Sequence, residues 1–183
     1  MDICPLTPER WPDFVDLFER KGPRGGSGPI HCSCMWWRER SRSHEENRLG
    51  MERLVLNGAV PGLLAYDEGQ AVGWISVAPR EQHGQLLRSR EYRPEDPDEQ
   101  GVWSIVCFFL RVGARHKGVS KALLDAAVEH AAKRGARVLE AYPNDKGDYM
   151  GTPELFAAAG FKSVRKTSAR TIMRRNVSTG AYR

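Results

Sequence analysis

The stretch from Val102 to Arg134 constrains the fold of this chain more than any other. It opens as an apolar run, Val102 to Leu110, dominated by β-branched and aromatic residues. Such a run suits a strand buried on both faces. A short polar turn follows, Arg115-His116-Lys117-Gly118, and then the period changes. Val119, Ala122, Leu123, Ala126 and Ala127 recur at helical spacing, and Gly135 stands where a helix C-terminus favours glycine. The unit is strand, glycine-bearing turn, helix.

That unit predicts an anion site. The first N–H groups of a helix lack intrahelical partners, and the helix dipole adds positive potential at the same end. Gly118 lets an anion approach the backbone, while Arg115, His116 and Lys117 bring side-chain donors. The turn therefore reads as phosphate-binding. It has neither the P-loop pattern G-x-x-x-x-G-K-[ST] nor the dinucleotide fingerprint G-x-G-x-x-G. A net charge of +5 agrees with a basic groove for a phosphorylated ligand. No strand interleaves aromatic and basic residues as a nucleic-acid platform would, so no nucleic-acid partner is expected.

The rest of the chain surrounds this unit. Asp2 to Leu6 reads as a first strand, and Thr7-Pro8-Glu9 and Trp11-Pro12-Asp13 are helix starts. Lys21 to Pro29 is a Gly- and Pro-rich loop, a cover for a substrate or a solvated connector. In Ile30 to Trp37 the adjacent Trp36 and Trp37 cannot both face one core from a helix, so one lines a pocket. Arg38 to Asn57 is helical in tone, with Gly50 predicted to mark a bend or break. Pro61 to Tyr66 and Ala71 to Ala78 form a hairpin around Asp67-Glu68-Gly69-Gln70. Arg80 to Gln100 is polar. Its acidic residues Glu91, Glu95, Asp96, Asp98 and Glu99 read as a solvated face or as an anionic lip for a cationic amine. After the central unit come a strand in Ala136 to Tyr142 and a loop from Pro143 to Gly151. A helix capped by Thr152 with Pro153 at its start follows, then strands in Phe161 to Thr167 and Arg170 to Arg175, and a loose tail over 176–183.

At 183 residues the chain is expected to be one domain over 1–183. No apolar run approaches the ~20 residues of a membrane span, and M-D-I-C-P-L-T lacks the pattern of a signal peptide. A cytoplasmic protein with no membrane partner is expected. Cys4, Cys32, Cys34 and Cys107 do not form a disulfide framework for a chain of this length. His31-Cys32-Ser33-Cys34 has ligand chemistry, but a structural zinc site takes four donors and no second cluster is evident. Ordinary thiols and no metal are expected.

R-H-K-G-V-S followed by K-A-L-L resembles the acyl-CoA pyrophosphate loop of the GNAT acetyltransferase superfamily, [RQ]-x-x-G-x-[GA]. Arg115 matches its first position and Gly118 its central one, while Ser120 replaces the preferred Gly or Ala. Gly160-Phe161 after a short helix is also similar to that family. The segments C-M-W-W-R, P-G-L-L-A-Y, V-G-W-I-S-V-A-P-R, W-S-I-V-C-F-F and E-A-Y-P resemble a broad bacterial stand-alone subgroup of it. The resemblance implies an α/β GNAT fold, a mixed, mostly antiparallel twisted sheet of about seven strands flanked by helices.

It also implies acetyl-CoA as cosubstrate. The pyrophosphate would lie on Arg115, His116, Lys117, Gly118, Val119 and Ser120, and the pantetheine against Phe108, Phe109, Leu110 and Val112. A neutral amine would attack the thioester directly, with a backbone N–H near Phe108 or Phe109 facing the oxyanion. The family's usual tyrosine acid corresponds to Phe156, which cannot donate; Tyr149 or a water would substitute. Glu81 and His83, then Glu140, are the candidate bases. Trp36, Trp37, Trp74 and Trp103 are candidates for the acceptor pocket, although each also suits core packing. The expected function is N-acetylation of a primary amine on a small molecule, an aminoglycoside-type antibiotic such as kasugamycin being one case. The alternatives are a protein or peptide acetyltransferase, and a non-catalytic acyl-CoA-binding module supported only by Phe156. Sheet edges and the two-Trp segment are compatible with a homodimer.

Overall fold

β4 spans Val102–Leu110 and stands at the centre of the sheet. The computed structural model describes residues 1–19, 32–41 and 43–177. The Gly- and Pro-rich loop over 21–29, His31 and most of the tail over 178–183 lie outside them. The strands are β1 Asp2–Pro5, β2 Gly62–Asp67, β3 Gln70–Pro79, β4, β5 Val138–Ala141, β6 Lys162–Lys166 and β7 Thr171–Asn176. They form a seven-stranded sheet in the order β1-β2-β3-β4-β5-β7-β6. β4 and β5 pair in parallel, and every other neighbouring pair is antiparallel. The fold is thus the mixed α/β architecture expected from the sequence.

The helices are α1 Trp11–Glu19, α2 His44–Leu56, α3 Gly84–Arg88, α4 Val119–Lys133 and α5 Pro153–Ala158. Amphipathic patterning divides them between the two faces. Phe14, Leu17 and Phe18 of α1 and Met51 and Val55 of α2 cover one face, against Leu64, Trp74 and Cys107. Leu123, Leu124, Ala127 and Ala131 of α4, with Phe156 of α5, cover the other, against Ile75, Ile105 and Phe108. α4 ends as its sequence predicts. Gly135 takes φ +87°, and Ala136 N–H returns to the Ala131 carbonyl.

One expectation is corrected and one holds only in part. Gly50 does not break a helix, because α2 runs through it. A Cβ there would come 3.2 Å from the Met35 terminal methyl, so the glycine makes room for a neighbour. The acidic run divides: Glu95, Asp96 and Asp98 are exposed, as a solvated face requires, while Glu91 and Glu99 strap it onto the β6–β7 end of the sheet. Glu91 accepts from Ser168 Oγ at 2.7 Å and Ala169 N–H at 2.9 Å, and Glu99 accepts from Arg174 at 2.6 Å.

Buried Arg80 fastens that strap from below. Its guanidinium donates to the carbonyls of Asp96 at 2.9 Å and Glu99 at 3.3 Å. It also lies 3.9 Å from the carboxylates of Glu99 and Glu140. Removing a buried ion from such a set leaves its partners unpaired, which costs about 3 kcal/mol or more. Arg80→Met should therefore lower unfolding free energy by about 3 kcal/mol in urea titrations, and proteolysis should enter first between residues 89 and 100.

Candidate active site

The site originates in a register break. Ser76 pairs with Cys107 and Val77 with Ile105, so Val106 is an extra residue in β4. A bulge of this kind bends its strand and re-aims its side chains. Here Val106 and Cys107, adjacent in sequence, both line the same cavity. β5 pairs only with Val102 to Ile105 and then ends. Beyond the bulge β4 and β5 diverge, leaving one edge of Val106 to Leu110 without a strand partner.

Two cavities meet at this gap. The first, about 740 Å³, runs past Phe108, Leu110, Arg115, His116, Ser120 and Lys146. The second, about 420 Å³, is lined by Cys32, Cys34, Trp36, Trp37, Val106, Cys107, Met150 and Arg170. Asp148 and Tyr149 line both.

The first cavity has the chemistry of an anion cradle. Gly118 caps α4 with φ +78°, a backbone state in which L side chains are strained. A Cβ built there meets no atom within 4 Å, so the approach to the helix N-terminus is open. Arg115 and His116 flank it, and His116 itself is held at φ +61°. Val112 is 77% exposed on the turn after β4 and does not line either cavity. Lys117 is exposed, and Val119 turns its side chain into the core.

Backbone direction along β4 decides which amides face the gap. Arg111 N–H donates to the Val72 carbonyl of β3, whereas Phe108 N–H donates at 2.5 Å to the Tyr149 carbonyl across the gap. Alternation along a strand then points Leu110 N–H to the gap and Phe109 N–H to β3. Phe109 is thereby removed as an oxyanion donor, and Phe108 and Leu110 are the amides on the open side.

The candidate bases are corrected together, for none of them lines either cavity. Glu81 is exposed on a 3-10 turn, Arg80–Gln82. His83 is fully buried, and burial followed by the Arg38 charge pushes its pKa well below the ordinary histidine value. Glu140 is buried among Arg174 at 3.3 Å, Arg80 at 3.9 Å and the Tyr142 hydroxyl at 2.5 Å. Of the four tryptophans, Trp36 and Trp37 line the second cavity. Trp74 and Trp103 do not. Trp74 is fully buried edge-on to Phe14, and Trp103 packs against His130 of α4. Phe156 is likewise sealed in the core between Phe108 and Phe161.

Sequence reasoning missed Asp148, Lys146 and Arg170. The segment after β5 reads only as a loop, yet it leaves the carboxyl end of a strand, where open α/β sheets place ligands. Asp148 organises it. Its carboxylate accepts from Asn144 at 3.0 Å, Met150 N–H at 2.8 Å and Arg170 at 3.2 Å. Burial opposes its ionisation, but Arg170 and the Met150 N–H outweigh burial and hold its pKa below the ordinary aspartate value. With those bonds made, Asp148 positions the loop and has little capacity left for a ligand. Tyr149 brings a hydroxyl to the junction and is 55% exposed. Among the described residues no three His, Cys, Asp or Glu side chains are grouped to hold a metal ion.

The geometry is matched by comparison with known proteins. The model of the acetyltransferase (GNAT) family matches residues 31–148. Ribosomal-protein-alanine N-acetyltransferase from Brucella melitensis has a similar structure, with a TM-score of 0.60, 18% identity, and 96% of this chain and 99% of that chain covered. A phosphinothricin acetyltransferase from Sinorhizobium meliloti, solved with acetyl-CoA, gives a TM-score of 0.58 at 19% identity, covering 98% and 90%. The PaiA N-acetyltransferase from Thermoplasma acidophilum, solved with coenzyme A, gives 0.58 at 15% identity, covering 96% and 98%. No curated protein matches the chain in sequence.

A carboxylate placed at the Gly118 cap should repel the ligand's phosphates. Gly118→Glu is expected to weaken acetyl-CoA binding in calorimetry by more than about 100-fold, or ~2.7 kcal/mol. A thermal melt confirms that the variant is folded. Equal affinity in the two proteins would move the phosphates elsewhere.

Proposed function

The chain belongs to the GNAT acetyltransferase family and is an acetyl-CoA-dependent N-acetyltransferase; we propose that its acceptor is a primary amine of a small molecule and that transfer is direct. The observation that carries this reading is the junction of the two cavities at Tyr149, beside the open edge of β4. One cavity carries Arg115, His116 and Lys146, and the other, of about 420 Å³, is bordered by Trp36 and Trp37. The second volume accommodates a compact acceptor better than a polypeptide segment.

In this reading the chain's residues divide the work. Arg115, His116 and the amides that start α4 hold the pyrophosphate. Leu110 N–H and the Phe108 backbone align the pantetheine along the open strand edge. Phe108 N–H, once released by the Tyr149 carbonyl, faces the thioester oxygen as negative charge develops. The amine nitrogen bonds to the carbonyl carbon, the carbon–sulfur bond breaks, and Tyr149 gives its hydroxyl proton to the departing thiolate. Phe156 is no obstacle, because its ring belongs to the core and Tyr149 supplies a hydroxyl from another element.

Within the small-molecule class we place an amino sugar of the aminoglycoside type first, kasugamycin being one case. Trp36 and Trp37 offer flat apolar faces to a sugar ring. The cavity's carboxylate, Asp148, is already engaged by Arg170 and Asn144. That favours an acceptor of low cationic charge over one with many ammonium groups. An amine panel with coenzyme A release as readout tests the class, and acceptance of peptides alone would overturn it.

Two kinetic outcomes test the roles. The imidazole along the first cavity, His116, is assigned to the pyrophosphate and the carboxylate, Asp148, is engaged by Arg170 and Asn144, so in this reading the amine arrives neutral. kcat/KM should rise with pH along the acceptor's own titration and shift when a less basic amine is used; a midpoint fixed across amines would reveal an enzyme base. Tyr149→Phe should lower kcat by about 100-fold while leaving acetyl-CoA affinity unchanged.

A further inference from the structure

The floor of the acceptor cavity holds sulfur chemistry that acyl transfer does not use. Cys34 and Cys107 line it side by side, Cys34 on the turn after residue 32 and Cys107 beside the bulge of β4. All four cysteines of the chain are free thiols. The turn that presents Cys34 is unusual. Ser33 and Cys34 take φ +40° and +59° in succession, and Met35 N–H closes the turn on the Cys32 carbonyl at 2.7 Å. Turns with two left-handed residues ordinarily use Asn and Gly. Here a buried serine and a buried cysteine hold that geometry, and strained backbone of this kind gathers at functional positions.

The surroundings of the Cys34 sulfur select its anionic form. Trp74 Nε1–H donates to Sγ at 3.2 Å. The Cys107 thiol lines the same cavity next to it. Arg38 is buried beside it, with its guanidinium bound to Gln82 Oε1 at 3.1 Å and the Pro61 carbonyl at 3.3 Å. No carboxylate pairs with Arg38 among the described residues, so the Cys34 thiolate is the counter-charge this cation has. The interaction with Cys107, working with Trp74 and Arg38 against burial, lowers the Cys34 pKa below the ordinary thiol value. The neighbours move the other way: the interaction with Cys34 and burial push Cys107 well up, and burial lifts Cys32 to about 11. Cys34 is thus the more acidic of two thiols that line one cavity, the order expected of a nucleophile and its resolving partner.

We propose that Cys34 and Cys107 are an oxidisable thiol pair, in which a peroxide entering the acceptor cavity oxidises Cys34 and Cys107 closes it to a disulfide across the cavity floor. In the first step the Cys34 sulfur bonds to one peroxide oxygen, the O–O bond breaks, and hydroxide leaves. Sulfur is oxidised by two electrons to a sulfenic acid as the peroxide is reduced. In the second step the Cys107 sulfur bonds to the Cys34 sulfur, the S–O bond breaks, and the hydroxyl leaves as water with the Cys107 proton. The disulfide ties the turn that carries Trp36 to β4 and changes the acceptor cavity, while the α4 cap and the acetyl-CoA groove are untouched. This site is independent of which amine is acetylated.

The test uses the whole protein and hydrogen peroxide, followed by peptide mass mapping without reduction. A cross-linked pair of peptides containing Cys34 and Cys107, released by dithiothreitol, is the expected result. Cys107→Ser should stop at a Cys34 sulfenic acid that dimedone traps. Because the thiolate is the reactive form and the Cys34 pKa is lowered, the oxidation rate should rise with pH and level off below the range in which an ordinary thiol ionises. In the oxidised protein the acceptor KM should rise several-fold with acetyl-CoA affinity unchanged. Three results would overturn the proposal: Cys34 staying reduced under peroxide that oxidises Cys4, a Cys32–Cys34 bridge in place of Cys34–Cys107, or an unchanged acceptor KM after full cross-linking. The mapping requires no acetyl transfer, so its failure and failure of the amine reading are read separately.

Discussion

The parting of β4 from β5 is the constraint on which the site depends. A parallel pair can be pulled apart only where one strand stops and the other loses register, and both happen within two residues of Ile105. β5 ends at Ala141, with Tyr142 and then Pro143 behind it, and proline has no N–H to continue a ladder. β4 takes its extra residue at Val106. The result is an unpaired strand edge held inside a protein rather than at the rim of a sheet. Unpaired backbone groups in an interior must find partners. The loop after β5 supplies one from the Tyr149 carbonyl, so the residue that closes the gap is also the one with a hydroxyl at the cavity junction.

Two buried groups of charges flank this gap, and they serve opposite ends. Around Arg80 the cations and anions are matched: Glu99, Glu140 and Arg174 complete an interlocked set with Tyr142 and Ser104. Matched sets fix geometry, which is why Glu140 holds the strap and does not reach for a ligand. Around Arg38 the cation is unmatched by carboxylate, and the group that answers it is a thiol. An arginine keeps its proton even when burial brings its pKa down to about 10, so the burden of neutrality falls on Cys34. The same physical rule, that a buried charge must be paired, gives a structural brace on one side and a reactive sulfur on the other.

How much of this was legible in the sequence follows from the range of each interaction. The strand Val102–Leu110, the Gly118 cap and the start of α4 at Val119 are local and are encoded where they occur. The site's long-range half is not. Whether a charged side chain lines a cavity depends on contacts such as Glu91 to Ala169, separated by 78 positions. Glu81, His83 and Glu140 have suitable chemistry as isolated residues, and nothing local tells that one faces solvent, one is sealed and one is braced. The tryptophans divide for the same reason. Trp74 alternates inward on β3, whereas Trp36 and Trp37 sit in a turn whose direction no periodicity sets. The bulge is the hardest feature to read, since one unpaired residue in a run of apolar ones leaves no mark in composition.

The register of β4 also explains why Phe156 is packed into the core while Tyr149 is left exposed. α5 is short, and its Phe156 must fill the core under Phe108, whose ring the register of β4 directs to that face. A tyrosine at 156 in the same rotamer would bury its hydroxyl in an apolar cluster, an unsatisfied group costing about 1–3 kcal/mol. The loop from Pro143 to Gly151 is not bound by core packing. It is held instead by Asp148, through Asn144, Met150 N–H and Arg170, which leaves Tyr149 pointing outward at the junction of the two cavities. Rigidity comes from the polar bonds of one residue and exposure from its neighbour, and the proton-donor role proposed for Tyr149 needs both.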